Sequence, residues 1–378
     1  MKKLAIGFLT LTVLLIGCDA ESYPASAQET PNEVSVASVD FSDTAGHWAK
    51  AGIDSAVKAG YVDGYQDGTF KPDYNVTRAE FVKMLLTATK QTISAAKPNS
   101  AWFTPYTDFA TTSGIYHTND FPADKFNDQL TRVEMAKLAV RYLDKTTRPQ
   151  AANLYDTSAM YKAVSLGVIQ GLVGGELGSD QFTTRAQSVT IIERILTASI
   201  GKTLPVDKLA FGNADLALTG SNTRVYMKTP SVPLPVKYSY SSSIDVMVSE
   251  IRVSDMDDKD DPVAKRIIAV DPNNEKRNAK LKGKLIVGLN VVIDNKSVGQ
   301  EPSLDLYSSV LSMIGLGAIG DGSSIYWMDT TKVGKTEGWI LYTVDKALNA
   351  KGLDGTLPFP LFLTVNGKEI YLTDVTKK

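Results

Sequence analysis

Three arginines in the first half of this chain each directly follow a threonine, in the pairs Thr77-Arg78, Thr131-Arg132 and Thr184-Arg185. If the threonine caps a helix, the arginine takes the first helical position, where a cation opposes the helix dipole at a cost of roughly half a kcal/mol. A bound anion would offset this cost, because helix N-terminal N–H groups and a guanidinium both donate to carboxylates and phosphates. The alternative is that each arginine pairs with a carboxylate across a boundary between repeats. The residues alone leave both roles open.

The arginines belong to a pattern that occurs three times before residue 200. Each arginine lies eighteen positions after a glycine, twenty-two after an alanine and thirty after a large aromatic residue. These are Gly60, Gly114 and Gly167, then Ala56, Ala110 and Ala163, then Trp48, Trp102 and Tyr155. Two positions after each arginine comes Glu80, Glu134 or Gln187. Five positions in register indicate a tandem repeat of one structural unit.

Each repeat is predicted to fold as a helix, a turn-rich loop and a second helix. In the first repeat, Ile53 and Ala56 lie on one apolar face, Gly60 ends the helix, and Thr77 with Glu80 forms a capping box. The second helices are expected to bury Phe81, Met84, Leu85 and Ala88; Met135, Leu138, Ala139 and Tyr142; and Ile191, Ile192 and Ile195. One such helix pair cannot bury its apolar face alone, so the three should pack together.

The first repeat resembles the S-layer homology domain in residues 47–49 (HWA), 64–70 (GYQDGTF) and 77–80 (TRAE). Residues 131–135 (TRVEM) and 184–187 (TRAQ) extend the resemblance over roughly residues 41–200. The resemblance implies an all-α, pseudo-threefold bundle with grooves between its units. It also implies that the grooves bind an anionic secondary cell wall polysaccharide, commonly bearing pyruvate ketals.

The same resemblance implies glycan-binding roles for Trp48, Asp67, Gly68, Arg78, Glu80, Trp102, Arg132, Glu134 and Arg185. The Asp-Gly turn occurs only in the first repeat, since Phe121 and Gly174 stand at the place of Asp67, so the first groove is the best candidate. An exposed indole could stack on a sugar ring, and the alternative is a core aromatic, which we expect for Tyr155. Lys83 and Lys137, five residues after their arginines, could add charge, although a solvated helix surface is the simpler expectation.

Residues 1–17 are predicted to be a signal peptide, because two lysines precede a short apolar run. The run ends at Cys18, which resembles the acylated cysteine of lipoproteins and would anchor the protein to a membrane. The alternative is cleavage after Ala27. Cys18 is the only cysteine, so no intrachain disulfide is possible.

Beyond a predicted linker at residues 201–220, apolar alternation and β-branched runs indicate strands. They lie at 232–240, 244–253, 267–270, 281–293, 324–328, 339–344, 361–365 and 369–373, with a hairpin signal at 365–369. We therefore predict an all-β, immunoglobulin-like sandwich over residues 221–378. The acidic run 255–261 departs from the helix-loop-helix calcium pattern and is expected to be a solvated loop. The basic run 276–284 is expected at the edge or turn of a hairpin.

Nothing in the sequence indicates catalysis, a metal or a cofactor. The two histidines, His47 and His117, both lie in the repeats, so the C-terminal part lacks a histidine for a nucleophilic triad. A formal net charge of −2 gives no reason to expect nucleic acid as a partner.

The sequence therefore predicts a secreted, multidomain, lipid-anchored protein of the cell envelope that is not an enzyme. Its predicted parts are the tether 18–40, three repeats at 41–95, 100–147 and 152–200, the linker 201–220, and the sandwich 221–378. The predicted function is non-covalent anchoring to wall polysaccharide. The alternatives are a tether between an outer membrane and the wall, or a wall-anchored enzyme that acts on carbohydrate.

Overall fold

The computed structural model describes residues 40–269, 272–296, 312–313, 333–351, 360–365 and 368–374. The predicted signal peptide 1–17, the predicted lipidation site Cys18 and the predicted tether up to residue 39 lie outside the described residues, as does the predicted strand 324–328. Within the described ranges, no helix combines the length and the apolar character needed to cross a membrane.

Three helix pairs form the first part of the described chain, and in each pair the second helix is the longer. They are α1 (Lys50–Lys58) with α2 (Arg78–Ala88), α3 (Thr104–Thr112) with α4 (Arg132–Leu143), and α5 (Asp156–Ser165) with α6 (Arg185–Ser199). Short 3-10 helices lie at Ala123–Lys125, Lys145–Thr147 and Val173–Gly175. The glycines predicted to end the first helices, Gly60, Gly114 and Gly167, have φ angles of 74°, 72° and 70°. This left-handed conformation suits glycine, so the predicted helix ends are confirmed.

The second helix of every pair begins with the predicted capping box. At α2, Thr77 Oγ1 accepts a hydrogen bond from the Glu80 N–H (3.2 Å), and Glu80 Oε2 accepts one from the Thr77 N–H (2.7 Å). Thr131 with Glu134 and Thr184 with Gln187 form the same reciprocal pairs at α4 and α6. Each pair lies within three residues of sequence, so local sequence encodes this part of the fold.

A closed set of backbone hydrogen bonds joins the segments that precede the second helices. The Val76 N–H donates to the Thr183 carbonyl, Thr183 N–H to Leu130, and Leu130 N–H to Val76, each at 2.9 Å. All three residues stand two positions before a repeated arginine. The helices follow the same order, because α2 packs on α3, α4 on α5, and α6 on α1. Each second helix therefore contacts the first helix of the next pair, and the third pair returns to the first.

One hydrophobic cluster runs through all three helix pairs. It buries the predicted apolar faces of the second helices at Phe81, Met84 and Leu85, at Met135, Leu138 and Ala139, and at Ile191, Ile192 and Ile195. Ala88 and Tyr142 are partly buried against it. The expectation that the three second helices share one core is confirmed at these residues.

Residues 201–220, predicted as a linker, instead contain helix α7 (Lys208–Thr219). Asp207 caps this helix by accepting a hydrogen bond from the Ala210 N–H (3.1 Å), and Gly220 ends it with a φ of 77°. The helix packs on α5 and on the turn at Val173–Gly175. Ala210 and Ala214 of this helix are buried in the hydrophobic cluster of the helix pairs, so the helix is stabilised by residues that are distant in sequence.

The C-terminal part contains an antiparallel five-stranded sheet in the order β1-β2-β3-β5-β4. The strands are β1 (Val236–Ser241), β2 (Ile244–Asp255), β3 (Lys284–Asn295), β4 (Ser312–Met313) and β5 (Gly334–Asp345). A separate two-stranded unit pairs β6 (Phe362–Val365) with β7 (Lys368–Tyr371). Val365 lies opposite Lys368, which confirms the predicted hairpin.

The prediction of an all-β C-terminal domain is wrong, because the described residues also form four helices. They are α8 (Thr223–Met227), α9 (Pro262–Ala269), α10 (Glu275–Leu281) and α11 (Lys346–Lys351). Residues 267–269 of the predicted strand 267–270 fall on α9, and residue 270 lies outside the described residues. Most of the basic run 276–284 falls on α10, not on a hairpin. Both helices bury apolar residues against Ile286 and Leu341 of the sheet, and this burial overrides local strand propensity. The immunoglobulin-like sandwich stays a prediction.

The acidic run 255–261 is not a fully solvated loop as predicted. Asp255 and Asp261 are both buried. Asp261 accepts hydrogen bonds from the backbone N–H groups of Asp255, Val263 and Ala264 at 2.8–3.1 Å, so it links the end of β2 to the start of α9. Within the described ranges, no group of three or more His, Cys, Asp or Glu residues could hold a metal ion.

Candidate functional site

The Arg78 side chain crosses from the first repeat to the second. Its Nε and Nη2 donate to Glu134 Oε2 (3.1 Å) and Oε1 (2.7 Å), and its Nη1 donates to the Lys125 carbonyl (2.9 Å). The guanidinium also lies over the Phe121 ring, with Cζ 4.8 Å from the centroid. This bidentate pair with a carboxylate of the next repeat matches the structural role that the sequence left open.

Arg132 and Arg185 cross the other two boundaries, but they bind backbone carbonyls instead of carboxylates. Arg132 donates from Nε to Leu177 (2.9 Å) and from Nη2 to Gln170 (2.8 Å) in the third repeat. Arg185 donates to Phe70 and Asp63 of the first repeat, both at 2.9 Å. Both arginines are buried, and burial lowers the pKa of the Arg132 guanidinium. The three arginines thus join each repeat to the next.

The N–H groups at the starts of the three second helices are already bonded within the protein. At α2, the N–H of Arg78 donates to Asp128 (3.0 Å) and that of Ala79 to Phe126 (2.9 Å), both across the boundary. The same carbonyl contacts from the neighbouring repeat occur at α4 and α6, and the capping threonines take the third N–H. The expectation that these N-termini offer free N–H groups to an anion is therefore wrong, because their first three donors are bonded within the protein.

Glu80 and Glu134 also make structural contacts. Both carboxylates accept the N–H of their capping threonine, and Glu134 additionally holds Arg78. Glu134 is buried, so this carboxylate is part of the boundary between the first two repeats. A ligand at that boundary would meet the Arg78–Glu134 pair as a unit.

The repeated aromatic residues lie on the surface. Trp48, Trp102 and Tyr155 are 65%, 51% and 68% exposed. The alternative that they are core aromatics, expected above for Tyr155, is wrong. Exposed aromatic rings at the same place in three repeats suit stacking on a flat apolar surface such as a sugar ring.

The Asp67-Gly68 turn is an ordered surface turn. Asp67 Oδ1 accepts hydrogen bonds from the Thr69 hydroxyl (2.6 Å) and N–H (3.1 Å), which hold the pKa of Asp67 below its usual value. Gly68 has a φ of 77°, a conformation that favours glycine. Lys71 reaches back, with Nζ 3.4 Å from Asp67 Oδ2 and 4.1 Å from the Tyr65 ring centroid. The turn therefore presents a carboxylate, an ammonium and an aromatic ring together.

Lys83 and Lys137, which were expected on the solvated surface of their helices, lie beside the exposed aromatic residues Trp102 and Tyr155. Lys83 on α2 places Nζ 5.9 Å from the Trp102 ring centroid in the next repeat. Lys137 on α4 stands at the equivalent position and pairs with Asp156 Oδ1 (2.6 Å), next to Tyr155. The first boundary thus combines a cation with an exposed indole, whereas the cation at the second boundary pairs with a carboxylate.

A cavity of about 510 Å³ lies at the second boundary. Its lining includes Lys137, Tyr155, His117 and the buried ion pair of Asp120 with Arg141. No sequence pattern marks Asp120 or Arg141 as functional residues. They have no counterpart among the five positions that repeat.

Residues 40–82 match the S-layer homology domain family, so the chain contains one such domain at this place. The matched segment holds Trp48, Asp67, Gly68, Arg78 and Glu80, five of the predicted site residues.

Three relatives illustrate the proteins to which the chain is similar. Exoglucanase XynX of Acetivibrio thermocellus is 29% identical over 189 residues, which is 45% of this chain and 17% of the relative. Outer membrane protein SlpA of Deinococcus radiodurans is 38% identical over 80 residues, 21% of this chain and 6% of the relative. The cellulosome-anchoring protein of A. thermocellus is 44% identical over 43 residues, 11% of this chain and 10% of the relative. The chain thus spans at most 17% of the length of each of these three.

Proposed function

We propose that this protein attaches non-covalently to the cell surface by binding an anionic, pyruvylated secondary cell wall polysaccharide at the boundaries between its repeats. The S-layer homology domain at residues 40–82 supports the anchoring role, as do relatives named as anchoring and outer membrane proteins. The observation that carries the proposal is the first boundary, where Lys83 and the exposed Trp102 ring lie together. The ammonium would pair with a ketal carboxylate while the indole stacks on the sugar.

We further propose that residues 41–95, 100–147 and 152–200 are three S-layer homology repeats in a pseudo-threefold bundle. Support comes from the closed set of hydrogen bonds among Val76, Leu130 and Thr183, and from the cyclic helix contacts. Up to three weak grooves on one rigid body would bind the same polymer multivalently. Linked sites of this kind gain affinity through effective concentration.

Within this proposal the site residues have different tasks. Trp48 and Trp102 contact the sugar, and Asp67 with Gly68 forms the rim of the groove in the first repeat. Arg78, Arg132 and Arg185 supply positive potential and hold the boundaries in shape, while Glu80 and Glu134 fix the helix starts. The bonds that these arginines make inside the protein support a positioning role for them, with the lysines as the cations nearer to solvent.

The proposal is tested by co-sedimentation of the purified protein with wall sacculi, intact or chemically stripped of secondary polysaccharide. Wild type should pellet only with intact sacculi. Lys83→Ala combined with Trp102→Ala should weaken binding about tenfold or more, because cation and stacking surface are both lost, and Lys202→Ala on the exposed surface serves as the charge control. Equal pelleting with stripped sacculi would move the target to peptidoglycan, and an unaffected double variant would exclude this groove.

We also propose that Cys18 is acylated and that the C-terminal part is displayed as a non-enzymatic passenger. A tether between an outer membrane and the wall is the second candidate, and the similarity to an outer membrane protein favours it. The two differ only in the membrane that holds the acyl chain, which fractionation of labelled envelopes would distinguish.

A further inference from the structure

One face of the five-stranded sheet carries a set of aromatic and polar side chains that have no part in the proposed anchoring. Helices α9 and α10 cover one end of this face, where Ile267 and Leu281 pack on Ile286 and Leu341. Farther along the strands, pairing places Met247, Val292 and Glu337 in one row across β2, β3 and β5. Asn290 and Trp339 lie opposite each other in the next row.

The Trp339 ring rests directly on the backbone of β3. A Cβ atom on Gly288 would lie 3.2 Å from Trp339 Cε3 and 3.1 Å from Leu341 Cδ2, so a glycine is what lets the ring approach here. Trp339 is only partly buried, and the exposed Arg252 has its Cζ 5.9 Å from the ring centroid. The indole therefore offers a flat apolar surface that solvent can reach.

A line of hydrogen-bonded polar side chains crosses the sheet beside this ring. The Ser249 hydroxyl donates to Asn290 Oδ1 (2.7 Å), and Asn290 Nδ2 donates to Glu337 Oε1 (2.9 Å). Each group is held by its neighbour, so these three side chains, which we call the polar row, are pre-organised. Pre-organised polar groups bind hydroxyls at a lower entropic cost than mobile side chains do.

A groove of about 430 Å³ continues from this row toward the far end of the strands. Its lining includes the apolar side chains of Met247 and Val292. It also includes two cations, Lys237 and Lys335, and two carboxylates, Asp245 and Asp294. Successive rows on one face are roughly 7 Å apart, so ring, polar row and groove extend over about 14 Å. This length fits a short oligosaccharide better than a single sugar.

We propose that this face is a second glycan-binding site, which takes a neutral oligosaccharide chain. The indole matches the apolar C–H face of a sugar, and the Ser249–Asn290–Glu337 row matches its hydroxyls. Balanced charges in the groove disfavour an anionic polymer or a membrane surface, both of which need a cationic excess. The proposal concerns the C-terminal part and does not depend on the role of the repeats.

The test is native affinity electrophoresis of the full chain in gels that contain galactomannan, xylan, mixed-linkage β-glucan or glycol chitin. At least one gel should retard the wild type, and Trp339→Ala should weaken that retardation tenfold or more. Trp48→Ala with Trp102→Ala should retain it, which separates this site from the repeats. Trp339→Phe, which keeps an aromatic surface, should retain part of it.

Circular dichroism melting controls for the fold of each variant. If Trp339→Ala unfolds, Glu337→Ala on the exposed end of the polar row replaces it, with the same expected loss. Absence of retardation in all four gels would overturn the proposal. The proposal would also be overturned if the Trp339 or Glu337 variant bound like wild type. A fifth gel contains the anionic polymer hyaluronan. Retardation in that gel alone, abolished by 0.5 M salt, would overturn the proposal as well, because it would indicate charge-driven binding.

Discussion

Asp215 on α7 is a buried carboxyl group whose setting differs from that of the repeated arginines. It is 1% exposed, and neither carboxyl oxygen has a hydrogen-bond partner among the described residues. Burial raises its pKa to about 6, despite the opposing charge of Arg224. Arg132 and Arg185 are buried as well, but each has partners across a boundary, so they stabilise the fold whereas the buried carboxyl group of Asp215 destabilises it.

This difference predicts how stability depends on pH. Because the pKa of Asp215 is higher in the folded state than in the unfolded state, the folded state binds the extra proton, and stability falls as the pH rises from about 4 to 6. Above pH 6 the full cost remains, about 2–3 kcal/mol for a shift of this size. Asp215→Asn should therefore raise the free energy of unfolding at pH 7 more than at pH 4.5.

Urea unfolding of wild type and variant at the two pH values measures this effect. Asp108→Asn, on the exposed surface, is the control for loss of one negative charge. Parallel stability curves for wild type and Asp215→Asn would contradict the assignment of the pH dependence to Asp215.

At the scale of elements, helix α7 packs closely on a glycine-containing turn of the third repeat. A Cβ on Gly175 would lie 2.5 Å from Leu209 Cβ and 2.7 Å from the Leu209 carbonyl carbon, and its φ is 74°. The turn and the helix are therefore in contact at backbone level. This contact joins the helical part to the segment that leads into the sheet.

Gly175→Ala should lower the free energy of unfolding by several kcal/mol, because it adds a backbone clash to the strain of a positive φ. Gly201→Ala is a matched control, since its φ is 78° and nothing lies within 4 Å of the added Cβ. Its cost should be limited to roughly 1 kcal/mol of backbone strain. Equal melting temperatures of the two variants would show that α7 does not pack on this turn as described.

At the scale of the whole molecule, the arginines close the helical part into a ring. Arg132 holds two carbonyls of the third repeat, and Arg185 returns from the third repeat to the first. Loss of one such side chain leaves carbonyl groups without their donors at a boundary. The cost should therefore appear in the stability of the whole bundle, beyond any effect on ligand binding.

Arg132→Ala is expected to lower the free energy of unfolding by about 2–4 kcal/mol, as is typical when buried hydrogen-bonded groups lose a charged partner. Lys83→Ala should change it by less than about 0.5 kcal/mol, since surface substitutions usually do. Chemical denaturation measures both variants. If Arg132→Ala is as stable as wild type but fails to bind sacculi, the arginine contacts the ligand and is not chiefly structural.

The sequence by itself determined the features that depend on nearby residues. The capping boxes, the helix-ending glycines, the Val365–Lys368 hairpin and most strands of the sheet follow from contacts within a few residues or from simple periodicity. The tandem register also singled out Trp48, Trp102 and Arg78 as repeated positions, but it left open whether they lie in the core, at a boundary or in a binding groove. Because these features depend on neighbouring residues or on repeated positions, they can be predicted from a single sequence.

Only the tertiary structure decided where the repeated side chains point and which of them meet. It placed the guanidiniums on partners in the next repeat, brought Lys83 to Trp102, and converted the predicted linker and two predicted β segments into helices α7, α9 and α10. These outcomes depend on groups that are distant in sequence. Burial against such groups contributes more free energy than the local propensity of a short segment.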